Sequence, residues 1–369
     1  MRSRSCPRGR VDRSVHWAAV NTTSSSLRYV LLLVSLCCVG LSACSVDVED
    51  LPITDSFVLE PGPVDILWVI DNSGGMSEVQ SAIGDAFPNL EAELSALAID
   101  WQMGILSTDM SDPEHRGRMI EIAGDGSVFM DPSFPGVTTR FAQRVRLGEE
   151  GSPVERGLEA SWAALSSPLG THDNEGFLRD EARLAIVFVS DDEDCSHEGG
   201  LSTESSEACA ADPAGLVAVS DYLVRYEGLK EDPLDVSVHA VVETGSTAES
   251  EGCGGGNPST RLVAAARSTG GLVAPLCGEL APTFTELGLQ LTGRRSAFPL
   301  SRRPDSDSIS VRLETTDVLG EPPTDVPRDV AMQSGWTWHE GSNTVRLWGD
   351  MIPPLGTSVV VRYVVGLGG

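Results

Sequence analysis

The chain has 369 residues, 41% hydrophobic and 22% charged, a composition that suits a soluble protein with one large domain and a smaller one. Acids outnumber basic residues 54 to 26, the net charge is −28, and Lys230 is the only lysine. Such a surface repels nucleic acid and anionic headgroups and favours cations, which excludes nucleic-acid binding at the outset.

Residues 1–43 read as a leader. Arg2, Arg4, Arg8, Arg10, Arg13 and Arg28 precede the apolar run YVLLLVSLCCVGLSA at 29–43. That run is shorter than the ~20 residues a membrane span needs, and it matches the charged and apolar regions of a secretory signal. It ends in Leu41-Ser42-Ala43-Cys44, which resembles the bacterial lipobox. The resemblance implies a diacylated Cys44 at the mature N-terminus and a place in the bacterial cell envelope, anchored to membrane by lipid. Ser45 follows where an aspartate would often retain such a protein at the inner membrane, which points to the outer one. Residues 44–61 are expected to be a linker.

From Val64 onward, apolar strands alternate with amphipathic helices. Val64 to Ile70 has the pattern of a buried strand and runs straight into Asp71-Asn72-Ser73-Gly74-Gly75. Met76, Val79, Ile83, Phe87, Leu90, Leu94 and Leu97 then recur at steps of three and four, one helix face with a kink expected at Pro88. A second strand is expected over 101–108 and an irregular stretch with a short edge strand over 109–150, before a helix marked by Val154, Leu158, Trp162 and Leu165. Leu184 to Val189 repeats the opening pattern and ends in Ser190-Asp191-Asp192-Glu193-Asp194. Helix 215–229, strand 236–242, helix 259–268, strand 271–276 and helix 281–292 follow. Continuous apolar strands alternating with helices predict an α/β fold with a doubly wound, mostly parallel sheet of Rossmann-like type over 62–293. From 299 to 369 the pattern has period two, which predicts a small antiparallel β module. Trp336, Trp338 and Trp348 are expected in its core rather than on a sugar-stacking platform.

Four cysteines lie beyond the leader and Cys44. Pairing of sequence neighbours, Cys195–Cys209 and Cys253–Cys277, is expected, since no CxxC spacing or histidine pattern supports zinc.

In a parallel sheet, ligands gather at the carboxyl ends of the strands, where Asp71 and Asp191 both fall. Asp71 and Ser73, two apart on a glycine-rich turn, offer hard oxygen ligands in one direction. Two nearby carboxylates repel unless a cation lies between them. Alone, the turn would also serve as a helix N-cap through Ser73 or Asn72. The residues Asp192, Glu193 and Asp194 are expected to be exposed.

Here the chain resembles the von Willebrand factor type A (vWA) family, whose metal-ion-dependent adhesion site (MIDAS) uses an Asp-x-Ser-x-Ser turn, a threonine and a later aspartate. Asp71, Ser73 and Asp191 match; Gly75 replaces the second serine. The threonine's loop falls in GEEGSPVERG, where Ser152 and Glu155 are candidates, and Thr108 is an alternative. The resemblance implies bound Mg²⁺ or Ca²⁺, and protein binding in which a partner's acidic residue fills the open coordination position. The rival expectations are an envelope lipoprotein whose metal only stabilises the fold, and a metal-dependent hydrolase. No HExxH, GxSxG or GK[ST] motif supports an enzyme.

Overall fold

The computed structural model describes residues 52–122, 124, 126–201, 205, 209, 211–244, 257–315 and 322–365. The expected leader, the lipidation site Cys44 and Cys253 lie outside the described residues. In chain order the elements are β1 (Ile53–Leu59), β2 (Val64–Ile70), α1 (Ser77–Ala96), β3 (Trp101–Ser107), β4 (Phe129–Met130), α2 (Val137–Arg144), α3 (Gly157–Leu165) and β5 (Arg183–Ser190). Then come α4 (Val219–Glu227), β6 (Val236–Val242), α5 (Thr260–Thr269), β7 (Val273–Pro275) and α6 (Leu280–Leu291). The strands β8 (Ala297–Pro299), β9 (Ser310–Thr315), β10 (Thr324–Val326), β11 (Gly335–His339), β12 (Thr344–Trp348) and β13 (Thr357–Tyr363) follow.

Six strands form one mixed sheet in the order β4-β3-β2-β5-β6-β7, parallel except for β4 on β3. Alternate residues of β2 explain how it is covered. Ile66, Trp68 and Ile70 point to one side, against Ile83 and Phe87 of α1, Phe141 of α2 and Phe284 of α6. Leu67 and Val69 point to the other, against Leu158 of α3, Tyr222 and Tyr226 of α4 and Leu262 of α5. Both faces are buried, which is why these strands read as unbroken apolar runs. On the first side the rings of Phe87 and Phe141 stack at 3.9 Å and Trp68 meets Phe141 edge-on at 5.2 Å. Helix α1 runs unbroken through Pro88, and Leu97, expected on its apolar face, is its exposed C-cap.

The expected doubly wound, mostly parallel sheet with a small appended module is not what forms. The six-stranded sheet is mixed, and among the described residues seven of the thirteen strands belong to two antiparallel sheets, β1-β13-β9-β10 and β11-β12-β8. Residues 53–59, read as linker, supply β1, which pairs antiparallel with β13 from Ile53↔Tyr363 to Leu59↔Thr357. Its alternating burial, with Thr54, Ser56 and Val58 outward and Leu59 inward, is a period-two signal that a short polar stretch hides. The two antiparallel sheets enclose a core of their own, including Leu59, Phe298, Val311, Val345, Leu347 and Val361. Trp336 is buried in it and Trp338 packs against it, while the Trp348 indole donates to Thr337 Oγ1 at 2.9 Å.

Candidate metal centre

The register of three adjacent parallel strands builds the site. Ile70 of β2 lies opposite Ser107 of β3 and Val189 of β5, so Asp71, Thr108 and Ser190 end up in one row at the carboxyl edge. Strands stand about 4.8 Å apart, close enough for side chains at their ends to meet. Asp71 is fully buried. Its Oδ1 accepts the Ser73 amide at 2.8 Å and its Oδ2 accepts the Ser190 hydroxyl at 2.7 Å. Gln80 of α1 locks the turn: its amide nitrogen donates to the carbonyls of Asp71 and Gly148, each at 2.9 Å.

Asp191 follows Ser190, is almost fully buried, and its carboxyl lies within hydrogen-bonding reach of Asp71. Burial, then the charges of Asp71 and Asp192, push its pKa up to about 6. Burial likewise raises Asp71, against the lowering effect of hydrogen bonds from Ser73 and Ser190.

Glu155 joins them from the loop before α3. It is 3% exposed, and the Thr108 hydroxyl donates to its Oε2. Its other oxygen, Oε1, is buried without a hydrogen-bond partner. Burial first, and then the charge of Asp71, hold its carboxyl well above the usual range. Cys195 N donates to the Glu155 carbonyl at 2.6 Å, and Arg156 N to the Thr108 carbonyl at 3.2 Å, so the loop is fastened on both sides.

The structure thus gathers Asp71, Ser73, Thr108, Glu155 and Asp191, and leaves Ser152 out. Ser152 N donates to Asp109 Oδ2 at 3.1 Å and its hydroxyl stands by Ser111 and Val154. Gly75 contributes only backbone: at φ 102° its amide donates to Glu149 Oε1 at 3.1 Å, and the Ser77 amide meets the same oxygen at 3.3 Å. Glu149, rather than Asn72 or Ser73, therefore caps α1.

The expectation that Asp192, Glu193 and Asp194 are exposed is also corrected. Asp192 accepts the Asn257 amide, Glu193 accepts the amides of Thr260 and Arg261 at the start of α5, and Asp194 accepts Leu158 N and pairs with Arg261 at 3.2 Å. An acid run reads as a solvated face; here each acid meets amides of a different segment. The Cys195–Cys209 disulfide forms as expected, with Cα atoms 5.6 Å apart, in a small apolar cluster with Val154 and Leu201. Cys277 is disulfide-bonded as well. Gln80 and Glu149 carry no sequence signal that marks them, since each acts through a contact about 70 residues away.

The donor set suits a hard cation: carboxylates and hydroxyls, two acids in mutual contact, and one buried oxygen with no proton donor. Nitrogen and sulfur ligands are not gathered at it; among the described residues no group of three or more His, Cys, Asp or Glu has metal-ligating geometry.

No family model matches the chain, and no curated protein matches it. Among solved structures it is similar to the pilus adhesin SpaC of Lactobacillus rhamnosus GG, at 8% identity and a TM-score of 0.38, over 85% of this chain and 41% of that one. It is similar to the pilus adhesin RrgA of Streptococcus pneumoniae at 8% identity and a TM-score of 0.31, over 85% of this chain and 58% of that one. Proximal thread matrix protein 1 of the mussel byssus has 8% identity and a TM-score of 0.37, over 68% of this chain and 51% of that one. The chain thus spans less than two thirds of each of these proteins.

Proposed function

We propose that the rim binds one divalent cation, Ca²⁺ or Mg²⁺, through Asp71, Ser73 and Asp191, and that the protein is a binding module rather than an enzyme. The observation that carries this reading is the close approach of the buried Asp71 and Asp191 side chains at the carboxyl edge of β2 and β5. Two such acids stay together only if they share a proton or a cation, and a cation supplies the attraction at neutral pH. The residues take the parts that the resemblance to the vWA family gives them. On that reading a coordination position of the ion faces outward and takes an Asp or Glu from a protein partner, in the envelope or on another cell. The lipobox at Cys44 would tether the protein to the bacterial outer membrane.

A second reading has its own support. Gly75 offers no hydroxyl, so the turn supplies one oxygen ligand fewer than the adhesion motif of the resembled family. The ion would then chiefly stabilise the rim.

Capture of envelope proteins on the immobilised protein separates the two. The first reading expects partners retained with Ca²⁺ or Mg²⁺, released by EDTA, and lost in Asp71→Ala. Retention by Asp71→Ala sinks the adhesive version. A melting temperature that metal raises, without any metal-dependent capture, leaves the stabilising version.

A further inference from the structure

A cavity of about 300 Å³, the small end of the range for ligand sites, lies at the edge of the six-stranded sheet opposite the acid rim. Its walls are the first residues of β2, β5 and β6, the last turns of α5 and α6, and β8 with the turn that joins β11 to β12. Three guanidiniums line it, those of Arg183, Arg294 and Arg295, in a chain whose net charge is −28. Among the described residues only Arg295 is matched by an acid of the wall, Asp235 at 3.5 Å. Arg183 Nη2 donates to the carbonyls of Gly62 and Leu291 at 3.0 and 2.8 Å, which braces the end of α6 and leaves the charge unmatched. Arg294 reaches Glu286 only at 4.0 Å, and its Nε is buried with no hydrogen-bond partner. Burial, then the like charge of Arg295, push the Arg183 pKa down to about 10. Glu227 is the other acid of the wall, and burial raises its pKa, which lessens it as a counter-charge.

The wall also offers a hydroxyl proton. Burial lowers the pKa of His239 to about 3 and so keeps the ring neutral. Leu272 N donates to its Nδ1 at 3.0 Å, so the ring proton sits on Nε2, which donates to Ser237 Oγ at 3.0 Å. Ser237 is thereby an acceptor already, and its own proton is left for the cavity it lines. Guanidiniums drawn out of water without a counter-charge are costly, and their forked donors fit the oxygens of carboxylate and phosphate.

We propose that this cavity binds a small doubly charged oxyanion, a phosphate group or a dicarboxylate, through the guanidiniums of Arg183 and Arg294 and the hydroxyl of Ser237. The two guanidiniums without a carboxylate of the wall match two negative charges, and Arg295 stays with Asp235. His239 is a positioning residue, since its Nε2 proton turns the Ser237 proton away from the ring. The inference is independent of the cation reading. Strands β2 and β5 carry Asp71 and Asp191 just past their ends and open the cavity with Val64 and Arg183 at their starts.

The test uses the full chain in detergent, freed of metal on a chelating resin, with inorganic phosphate and succinate as probes in titration calorimetry at matched ionic strength. The unaltered protein should bind at least one of them, one per chain, and melt higher in its presence. The tighter of the two identifies the ligand as phosphoryl or dicarboxylate. Arg294→Met should weaken that anion at least tenfold, the loss of a charge-assisted contact, and Ser237→Ala should weaken it severalfold. Without anion, Arg294→Met should melt level with the unaltered protein or above it, because a like charge has left the wall. An unaltered protein that binds neither probe at millimolar concentration overturns the inference, and so does binding that survives Arg294→Met. Where Arg294→Met does not fold, Ser237→Ala takes its place, and unchanged affinity in that variant overturns the inference.

Discussion

Replacing Asp191 by Asn should make the metal-free protein more stable at neutral pH, and less responsive to pH. Asp191 titrates at about 6 in the folded chain against an ordinary value of 3.8, mainly because burial disfavours its charged form. Such an acid holds its proton more tightly folded than unfolded. Folding therefore keeps its full margin below about pH 3.8, and loses part of it as pH rises from there through about 6. The unscreened difference is about 3 kcal/mol, and water at the open edge of the rim reduces it to ~1–2 kcal/mol. For a chain of this size that is a melting shift of about 2–4 °C. Calorimetry in EDTA, from pH 3.5 to 7.5, should find wild type and Asp191→Asn nearly equal at the acid end, with the variant melting higher by that amount at pH 7.5. Added Ca²⁺ should raise wild type and leave the variant unmoved. A gap between the two proteins that stays flat across this range, or narrows with pH, would refute the reasoning.

Other parts of the structure give expectations of their own. Phe141→Ala removes the ring between Phe87 and Trp68 and should cost about 3–5 kcal/mol in urea unfolding, with Ca²⁺ affinity unchanged. Arg179→Ala should cost about 3 kcal/mol, because Asp65, fully buried, then loses the guanidinium that donates to it at 2.7 Å. Gly75→Ser restores a hydroxyl at the turn, yet φ 102° strains any side chain there, so the melting temperature should fall with no gain in Ca²⁺ affinity. Cys195→Ser with Cys209→Ser should cost about 3 kcal/mol in urea unfolding.

How far the chain betrays this arrangement depends on the range of each interaction. Strands β2, β3, β5 and β6 are legible because both faces are buried and the apolar runs are continuous. Their ends place Asp71 and Asp191, and the equal register of β2 with β3 and β5 makes Thr108 their neighbour. The pairing of β1 with β13 is not legible, since it joins segments some 300 residues apart and one of them is half polar. Two-residue β4 is too short to carry any period. Glu155 could be named from chain order, but its contact with Thr108 and its burial depend on how the loop before α3 folds back over the rim. The acids 192–194 mislead for the converse reason, since the segments whose amides they accept lie elsewhere in the chain.

The central claim is that a positive ion holds the acids at the ends of β2 and β5 together. Crystals grown with Mn²⁺ and measured at its absorption edge test it most directly. The account predicts one strong anomalous peak within about 2.5 Å of oxygens from Asp71 or Asp191. Electron density showing those carboxyls in direct contact at neutral pH, with no anomalous signal between them at millimolar Mn²⁺, would contradict it.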